Sequence, residues 1–308
     1  MQSRIRELKS KKNAVILAHS YQLPEIYDVA DAVADSFELA VAAQKTKAAI
    51  IVFAGVHFMA ESAKLLNPKK KVLLPDREAG CFLADCVTVE KLREKKKARP
   101  EAGVVAYVNS TAAVKAESDA CCTSANAIEI CRKLPQKQII FVPDGNLGEW
   151  VGENLPEKEI ITWPGSCYVH ARISEEKVLA AQKLHPEAKI LVHPESPKKI
   201  RALADLVAGT GGMSKFVKNS AAKEFLIGTE SGMLEKLRRE NFIPAEAGTR
   251  KKFFALAGEC INMKKITLEK VLNSLKNEEF EIKVDAKTAA AARHSLQKMI
   301  DLSTTTAL

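Results

Sequence analysis

Three cysteines stand in glycine-bearing or polar loops where metal chemistry could use them: Cys81 in EAGCFL, Cys167 in PGSCYVH and Cys260 in AGECIN, separated by 86 and 93 residues. None has the paired C-x-x-C spacing by which a closed structural zinc usually collects four ligands. Three thiolates gathered from remote segments suit a centre that keeps one position open. A [4Fe-4S] cluster held by three cysteines leaves one iron free to bind a hydroxyl or carboxylate as a Lewis acid and help expel water. An isolated intracellular cysteine is by default a small buried hydrophobe. Cys121, Cys122 and Cys131, inside apolar strand or helix patterns, are read that way. Cys86 is read as packing, with a reserve thiol near the metal as the other reading.

An internal repeat sets the first three cysteines apart. Three apolar runs that read as buried strands each end in a polar cluster: AVILAHSY (14–21), VVAYVNST (104–111) and KILVHPES (189–196). His19, Asn109 and His193 hold the equivalent place. A helical stretch follows each, then a hydroxyl, Ser36, Ser124 or Thr210, at 17, 15 and 17 residues beyond the strand-end residue. Ser36 and Ser124 are expected as helix N-caps, and Thr210, before the glycines of TGGMSKF, as a less regular version. Second strands are expected in AAIIVFAG, QIIFVPD and EFLIGTE, helices from HFMAESAKLL, NLGEWVGENL and SGMLEKLRRE, and third strands in KVLLPD, EIITWPG and NFIPAE. Each of the three cysteines follows one of those last strands.

This alternation predicts an α/β fold of three similar αβα, Rossmann-like, parallel-sheet domains about a pseudo-threefold axis, with the active site at the centre. The expected units are 1–82 (completed by 261–308), 83–168 and 169–260. The tail from about 276 reads as one strand-like stretch and an alanine-rich helix packing on the first domain. Functional groups of open parallel sheets collect beyond the carboxyl ends of the strands, so the three cysteines are expected to meet at one ion or cluster.

The polar strand ends supply the rest of a site. Imidazole, amide, hydroxyl and helix-terminal N–H groups around one cavity would bind a small, multiply anionic ligand. Glu195 is the candidate base, with Tyr21 and Tyr107 as acids or positioning groups; a hydrogen-bonded structural role is the plain alternative for each. His57, His185 and His294, outside the repeat, are read as surface or helix residues. His170 forms C-x-x-H with Cys167, a spacing that can ligate metal, but no other repeat copies it, so a supporting role is expected.

The chain has 308 residues, 46% of them apolar and 28% charged, enough for two or three compact domains. No run approaches a membrane span, and MQSRIRELKSKKN has no apolar signal-peptide core, so a cytoplasmic protein with reduced cysteines is expected. The net charge of +9 lies largely in short lysine runs such as NPKKKV and EKLREKKKARP, and aromatic residues make up only 6%. A basic surface that draws in small anions accounts for this without nucleic acid.

AHSYQLPE, ADS with Ser36, FAGVHFMAESAKLLNP, PDREAGCFLAD, YVNSTA, CTSANA, PDGNLGEW, Cys167 to His170, VHPES, GTGGM, GTESGM and CINMKKITL, in order over about 13–275, together resemble quinolinate synthase, the A protein of the bacterial and archaeal NAD pathway. The resemblance implies three α/β domains around an oxygen-sensitive [4Fe-4S] cluster bound by Cys81, Cys167 and Cys260. It implies condensation of iminoaspartate with dihydroxyacetone phosphate to quinolinate, with loss of phosphate and two waters. Substrate contacts carry over to His19, Ser36, Tyr107, the Val108 backbone, Asn109, Ser124, His193, Pro194, Glu195 and Thr210, and catalytic roles to Tyr21, Tyr107, His193 and Glu195. Tyr21 matches the tyrosine that closes over substrate. Partners are then the small anionic substrates, with an aspartate oxidase or dehydrogenase left open as the source of iminoaspartate. The chain departs from many relatives in lacking C-P-x-x-C around Cys260, which removes the basis for disulfide control there, and in having serine in VHPES where they have cysteine. A different iron–sulfur hydro-lyase acting on di- or tricarboxylates and a non-enzymatic anion or nucleic-acid binding module are the rival classes.

Overall fold

The computed structural model describes residues 1–242 and 250–304. Three sheets of four parallel strands succeed one another along the chain. The first unit contains α1 Gln2–Lys11, β1 Ala14–His19, α2 Pro24–Tyr27, β2 Ala32–Ala34, α3 Ser36–Lys45, β3 Ile50–Ala54, α4 His57–Leu66 and β4 Lys71–Leu73. The second contains α5 Val89–Ala98, β5 Gly103–Tyr107, α6 Ala112–Ala116, β6 Ala120–Cys122, α7 Ala127–Lys133, β7 Gln138–Val142, α8 Gly145–Glu153 and β8 Glu159–Thr162. A short α9 (Tyr168–Ala171) leads into the third: α10 Glu175–Leu184, β9 Lys189–Val192, α11 Lys198–Arg201, β10 Leu206–Val207, α12 Thr210–Asn219, β11 Glu224–Gly228, α13 Met233–Glu240 and β12 Lys252–Ala255. Helices α14 (Leu268–Asn277) and α15 (Ala286–Thr304) close the described chain.

Strand order is the same in every sheet: β2-β1-β3-β4, β6-β5-β7-β8 and β10-β9-β11-β12. The registers match too, with β1 on β3 from Ala14↔Ile50 to Ala18↔Ala54 and β5 on β7 from Gly103↔Ile139 to Ala106↔Val142. The central strands are near-continuous Val, Ile, Leu and Phe because helices cover both faces. The repeat extends to single hydrogen bonds. Asp31, Asp119 and Asp205, each just ahead of the second strand of its unit, accept the backbone N–H of Ile16, Val104 and Ile190 at 2.7, 2.7 and 2.8 Å. Each of those acids thereby pins the start of the second strand against the first.

In a 2-1-3-4 order the chain reverses direction between the two central strands, and their carboxyl ends border a crevice suited to ligands. His19 is the last residue of β1, while Asn109 and His193 lie just past β5 and β9. All three crevices therefore carry polar groups.

Three sequence expectations change. The edge strand of the third sheet is Lys252–Ala255, paired with β11 from Glu224↔Lys252. Of the NFIPAE stretch, residues 243–246 lie outside the described residues. The tail does not pack on the first unit alone: α15 lies against α4 and also against α6, β6 and α7 of the second. One hydrophobic core consequently runs through the first two units and the tail, whereas the third has separate cores, one including Ile190, Val192 and Leu226 and the other Leu191, Phe225 and Ile227. Finally, Cys86 is exposed rather than packed, whereas Cys121, Cys122 and Cys131 are fully buried as expected.

Candidate active site at the junction of the three sheets

A cavity lies where the three units meet. Its wall includes His19, Tyr21, Ser36, Tyr107, Asn109, Ser124, His193, Glu195, Thr210 and all three cysteines of the repeat. Two expected contacts are not on that wall. The Val108 N–H is committed to the Cys122 carbonyl at 2.9 Å, and Pro194 is buried. His57, His185 and His294 stay outside the cavity: His57 and His294 are exposed, and His185 stacks on Phe254 and pairs with Glu224 at 3.1 Å.

The hydroxyls are placed differently from the expected N-caps. Asp35, not Ser36, caps α3: its Oδ1 accepts the N–H of Phe37 and of Glu38, both at 2.9 Å, and Glu38 returns the contact in a capping box. Ser36 is thus the first helical residue, as Thr210 is in α12. Ser124 sits in the turn before α7, closed by Asn126 Oδ1 accepting the Thr123 N–H at 2.6 Å. No side chain caps α12, so its first amides remain available to an anion. Approach there is close: a Cβ on Gly209 would lie 2.8 Å from Ser124 Oγ, and one on Gly211 2.9 Å from Asp35 Oδ2, so either would push a side-chain end aside.

The two strand-end histidines are built alike. His19 Nδ1 accepts the N–H of Tyr21 at 3.2 Å, and His193 Nδ1 accepts that of Glu195 at 3.3 Å. With Nδ1 an acceptor, the ring proton of the neutral form lies on Nε2, where His193 meets Ser124 Oγ at 3.0 Å. Burial, reinforced by the His193, Lys264 and Lys236 charges, lowers His19 to about 3. Burial also lowers His193 to about 3, against the opposing pull of Glu195. Both rings are neutral near pH 7.

A chain of polar groups crosses the cavity between units. Tyr21 Oη lies 2.6 Å from Thr229 Oγ1, and Thr229 Oγ1 lies 2.9 Å from His170 Nε2. His170 Nδ1 is 3.0 Å from Glu195 Oε2, within ion-pair reach though not aligned for a hydrogen bond. Tyr107 Oη donates to Glu195 Oε1. Burial opposes ionisation of Glu195, but His170, His193 and these contacts outweigh it and hold the carboxyl well below its ordinary range. Burial raises the phenols of Tyr21 and Tyr107 well above 10, so both keep their protons. Asn109 Oδ1 is shielded from solvent and finds no protein partner, an acceptor left for a ligand.

Each cysteine opens a helical turn. The carbonyls of Cys81, Cys167 and Cys260 accept the N–H of Asp85, Ala171 and Lys264 at 3.2, 2.8 and 3.2 Å, always four residues on. Backbone N–H groups of Leu83 and Ala84 face the Cys81 sulfur, and those of Val169 and His170 face that of Cys167. Burial nevertheless pushes the Cys81 thiol to about 12 and that of Cys167 well above 9, and Cys260 and Cys81 add to these shifts. Buried thiols that raise one another become thiolates only around a cation, and soft sulfur donors select zinc, copper(I) or iron–sulfur centres. Among the described residues, Cys167, His170 and Glu195 also form a group able to hold a metal ion, with donor atoms within 4.8 Å of one another.

The comparisons with known proteins agree with this architecture. Residues 3–301 match the family model for the quinolinate synthetase A protein. The chain belongs to the quinolinate synthetase A family. It is 49% identical over 302 residues to the quinolinate synthase of Caldicellulosiruptor saccharolyticus, covering 97% of each chain. It is 48% identical over 300 residues to that of Clostridium kluyveri, again covering 97% of each. Quinolinate synthase 2 of Methanosarcina acetivorans is 46% identical over 303 residues, 98% of this chain and 95% of that one.

Several site residues of this quinolinate synthetase A family member escaped the sequence reading. Thr229 and Glu230 at the end of β11, and Asp144 past β7, occupy the strand ends beside those of His193 and Asn109. The second-strand tails QIIFVPD and EFLIGTE carried that signal. His170, placed in a supporting role, does contact Glu195 and stacks on His193 with centroids 4.6 Å apart. Lys115, fully buried, donates to the Ser110 carbonyl and lies 5.6 Å from the centre of the Phe58 ring, bracing the loop that carries Asn109. Among the described residues no helix is long and apolar enough to cross a membrane.

Proposed function

We propose that this chain condenses iminoaspartate with dihydroxyacetone phosphate to quinolinate, releasing phosphate and two waters, at a [4Fe-4S] cluster held by Cys81, Cys167 and Cys260. The observation that carries the reading is one cysteine from each repeat, each at the head of an equivalent turn, opening into the cavity that the strand-end groups line. The donor set fits such a group: three thiols, soft sulfur donors, on one cavity wall. A single tetrahedral zinc would want thiolates roughly 3.8 Å apart, given Zn–S of about 2.3 Å. Among the described residues the three cysteines are not a group whose donor atoms all lie within 4.8 Å of one another, as such a single ion would need. When bound, the cluster supplies one open iron as a Lewis acid for dehydration and ring closure.

The protein's own groups divide the remaining work. The uncapped N-terminus of α12, with Thr210 and Ser124, receives the phosphate or a carboxylate. Asn109 and neutral His19 orient polar substrate atoms, and His193 Nε2 donates through Ser124 or directly to substrate. Glu195, held ionised, takes a proton at Oε1 or Oε2. Protonated Tyr21 donates at its hydroxyl and is resupplied through Thr229 Oγ1 and His170 Nε2. In this reading His170 and Glu195 handle protons, and the Cys167–His170–Glu195 group is not a separate metal site. The substrates are small anions, and an aspartate oxidase or dehydrogenase is the natural source of the imine.

Anaerobic assay with iminoaspartate generated in place, with and without dihydroxyacetone phosphate, tests the function. Quinolinate formed only with both substrates supports it; dehydration of a di- or tricarboxylate without the triose phosphate would instead favour a different iron–sulfur hydro-lyase.

A further inference from the structure

Tyr21 is held at both ends by groups from beyond its own unit. Its hydroxyl meets Thr229 at 2.6 Å, and its backbone carbonyl accepts a hydrogen bond from Lys264 Nζ at 2.6 Å. The same Nζ lies 2.9 Å from Oε1 of Glu230, the residue after Thr229. Glu230 is almost wholly buried and accepts the N–H of Cys260 on Oε1 at 3.0 Å and that of Gly232 on Oε2 at 2.7 Å. Lys264 in turn closes the Cys260 turn, donating its backbone N–H to the Cys260 carbonyl. The cluster is tight: a Cβ on Gly232 would lie 2.8 Å from Glu230 Oε2, 2.9 Å from Tyr21 Cα and 3.0 Å from Lys264 Nζ.

The second unit shows what this arrangement adds. Asp144, past the end of β7, accepts the N–H of Cys167 at 3.3 Å and that of Leu147 at 2.7 Å. It is the same clamp of an acid on a cysteine amide, but among the described residues no lysine joins it to another segment. Among the described residues, the Cys260 clamp is extended, through Lys264, to a residue of the reacting site, and the Cys167 clamp is not.

We propose that Glu230 and Lys264 are positioning residues that make the placement of Tyr21 depend on an ordered, ligated Cys260 turn. This rests on the reading of Cys260 as a ligand. Ligation fixes the 260–264 turn, the turn fixes Lys264, and Lys264 with Glu230 fixes the backbone at Tyr21. An unloaded site then leaves Tyr21 loosely held, so the proton donor is assembled only when the metal centre is.

Hydrogen exchange of the whole chain, compared before and after anaerobic reconstitution with iron and sulfide, tests this directly. The amides of Tyr21 and Gln22, which donate to His19 Nδ1 and to the His19 carbonyl, are the reporters. Loading of the unsubstituted chain should slow exchange both at 258–266 and at 19–23. In Lys264→Met, which keeps the backbone bond to Cys260, slowing should persist at 258–266 and be lost at 19–23, with Lys264→Arg restoring it. Glu230→Gln, which removes the charge facing Lys264 and leaves one side-chain oxygen to accept one of the two amides, should reduce the slowing at 19–23 even if Lys264→Met fails to fold. Failure of the unsubstituted chain to gain protection at 258–266 contradicts the metal reading itself. Protection at 258–266 without any at 19–23, or protection at both that survives Lys264→Met or Glu230→Gln, overturns the coupling alone.

Discussion

Tyr107, last residue of β5, donates its phenolic hydrogen to Glu195 of the third unit. The contact joins two repeats at one carboxylate, which His170 approaches from its other oxygen. Glu195 is thereby kept ionised in a buried place where an isolated carboxyl would protonate. Glu195 is thus a proton acceptor already in its charged form, set among the groups that line the cavity wall.

Glu195→Gln preserves the shape and removes the base. Turnover in the quinolinate assay should fall by roughly 10²- to 10⁴-fold, the range of general-base losses, with iron content unchanged. Full turnover in that variant removes Glu195 from the chemistry.

Thr229→Val is nearly isosteric and cuts the link between Tyr21 and His170. Leaving two buried polar groups without a partner should cost ~1–3 kcal/mol of stability, read by chemical denaturation. Turnover should fall by about tenfold, equivalent to ~1.4 kcal/mol in the barrier. A loss of stability with unchanged turnover would make Thr229 a packing residue only.

His19 and His193, lowered from 6.5 to about 3, stay neutral in the folded chain while an unfolded chain protonates them below pH 6.5. The unfolded state therefore binds more protons in that window, and stability falls as pH drops from about 6.5 toward 3. Each ring contributes a slope of up to about 1.4 kcal/mol per pH unit. Denaturation curves between pH 7 and 4 should show this fall, and His193→Gln should make it shallower.

The repeat made most of this architecture readable from sequence, because each central strand is an unbroken apolar run and each crevice residue interrupts it at the same place. His19, Asn109 and His193 were legible for that reason, and the three cysteines because their loops recur at similar spacing. The cap of α3 was misplaced although Asp35 and Glu38 have capping-box spacing: Asp35 and Ser36 are both good caps, and only geometry chooses between them. The last edge strand was placed too early because NFIPAE and KFFA are both short apolar runs near the right distance from β11. Thr229, Glu230 and Asp144 were missed because an acid or hydroxyl ending a strand looks like an ordinary turn residue. Their role depends on which distant amide or phenol the fold brings to them.

Gly209→Ala tests the α12 end of the cavity. The added methyl would sit 2.8 Å from Ser124 Oγ and must displace it from His193. KM for dihydroxyacetone phosphate should rise several-fold, with kcat less affected, in steady-state assays at saturating iminoaspartate. An unaltered KM would place the phosphate elsewhere.

The most direct test of the centre is anaerobic iron and sulfide analysis of the reconstituted chain beside Cys81→Ser, Cys167→Ser, Cys260→Ser and Cys86→Ser. The account predicts about four iron and four sulfide per chain, with absorbance near 400 nm, for the unsubstituted protein and Cys86→Ser, and loss of the centre in each of the other three. A full complement of iron and sulfide in any one of those three would contradict it.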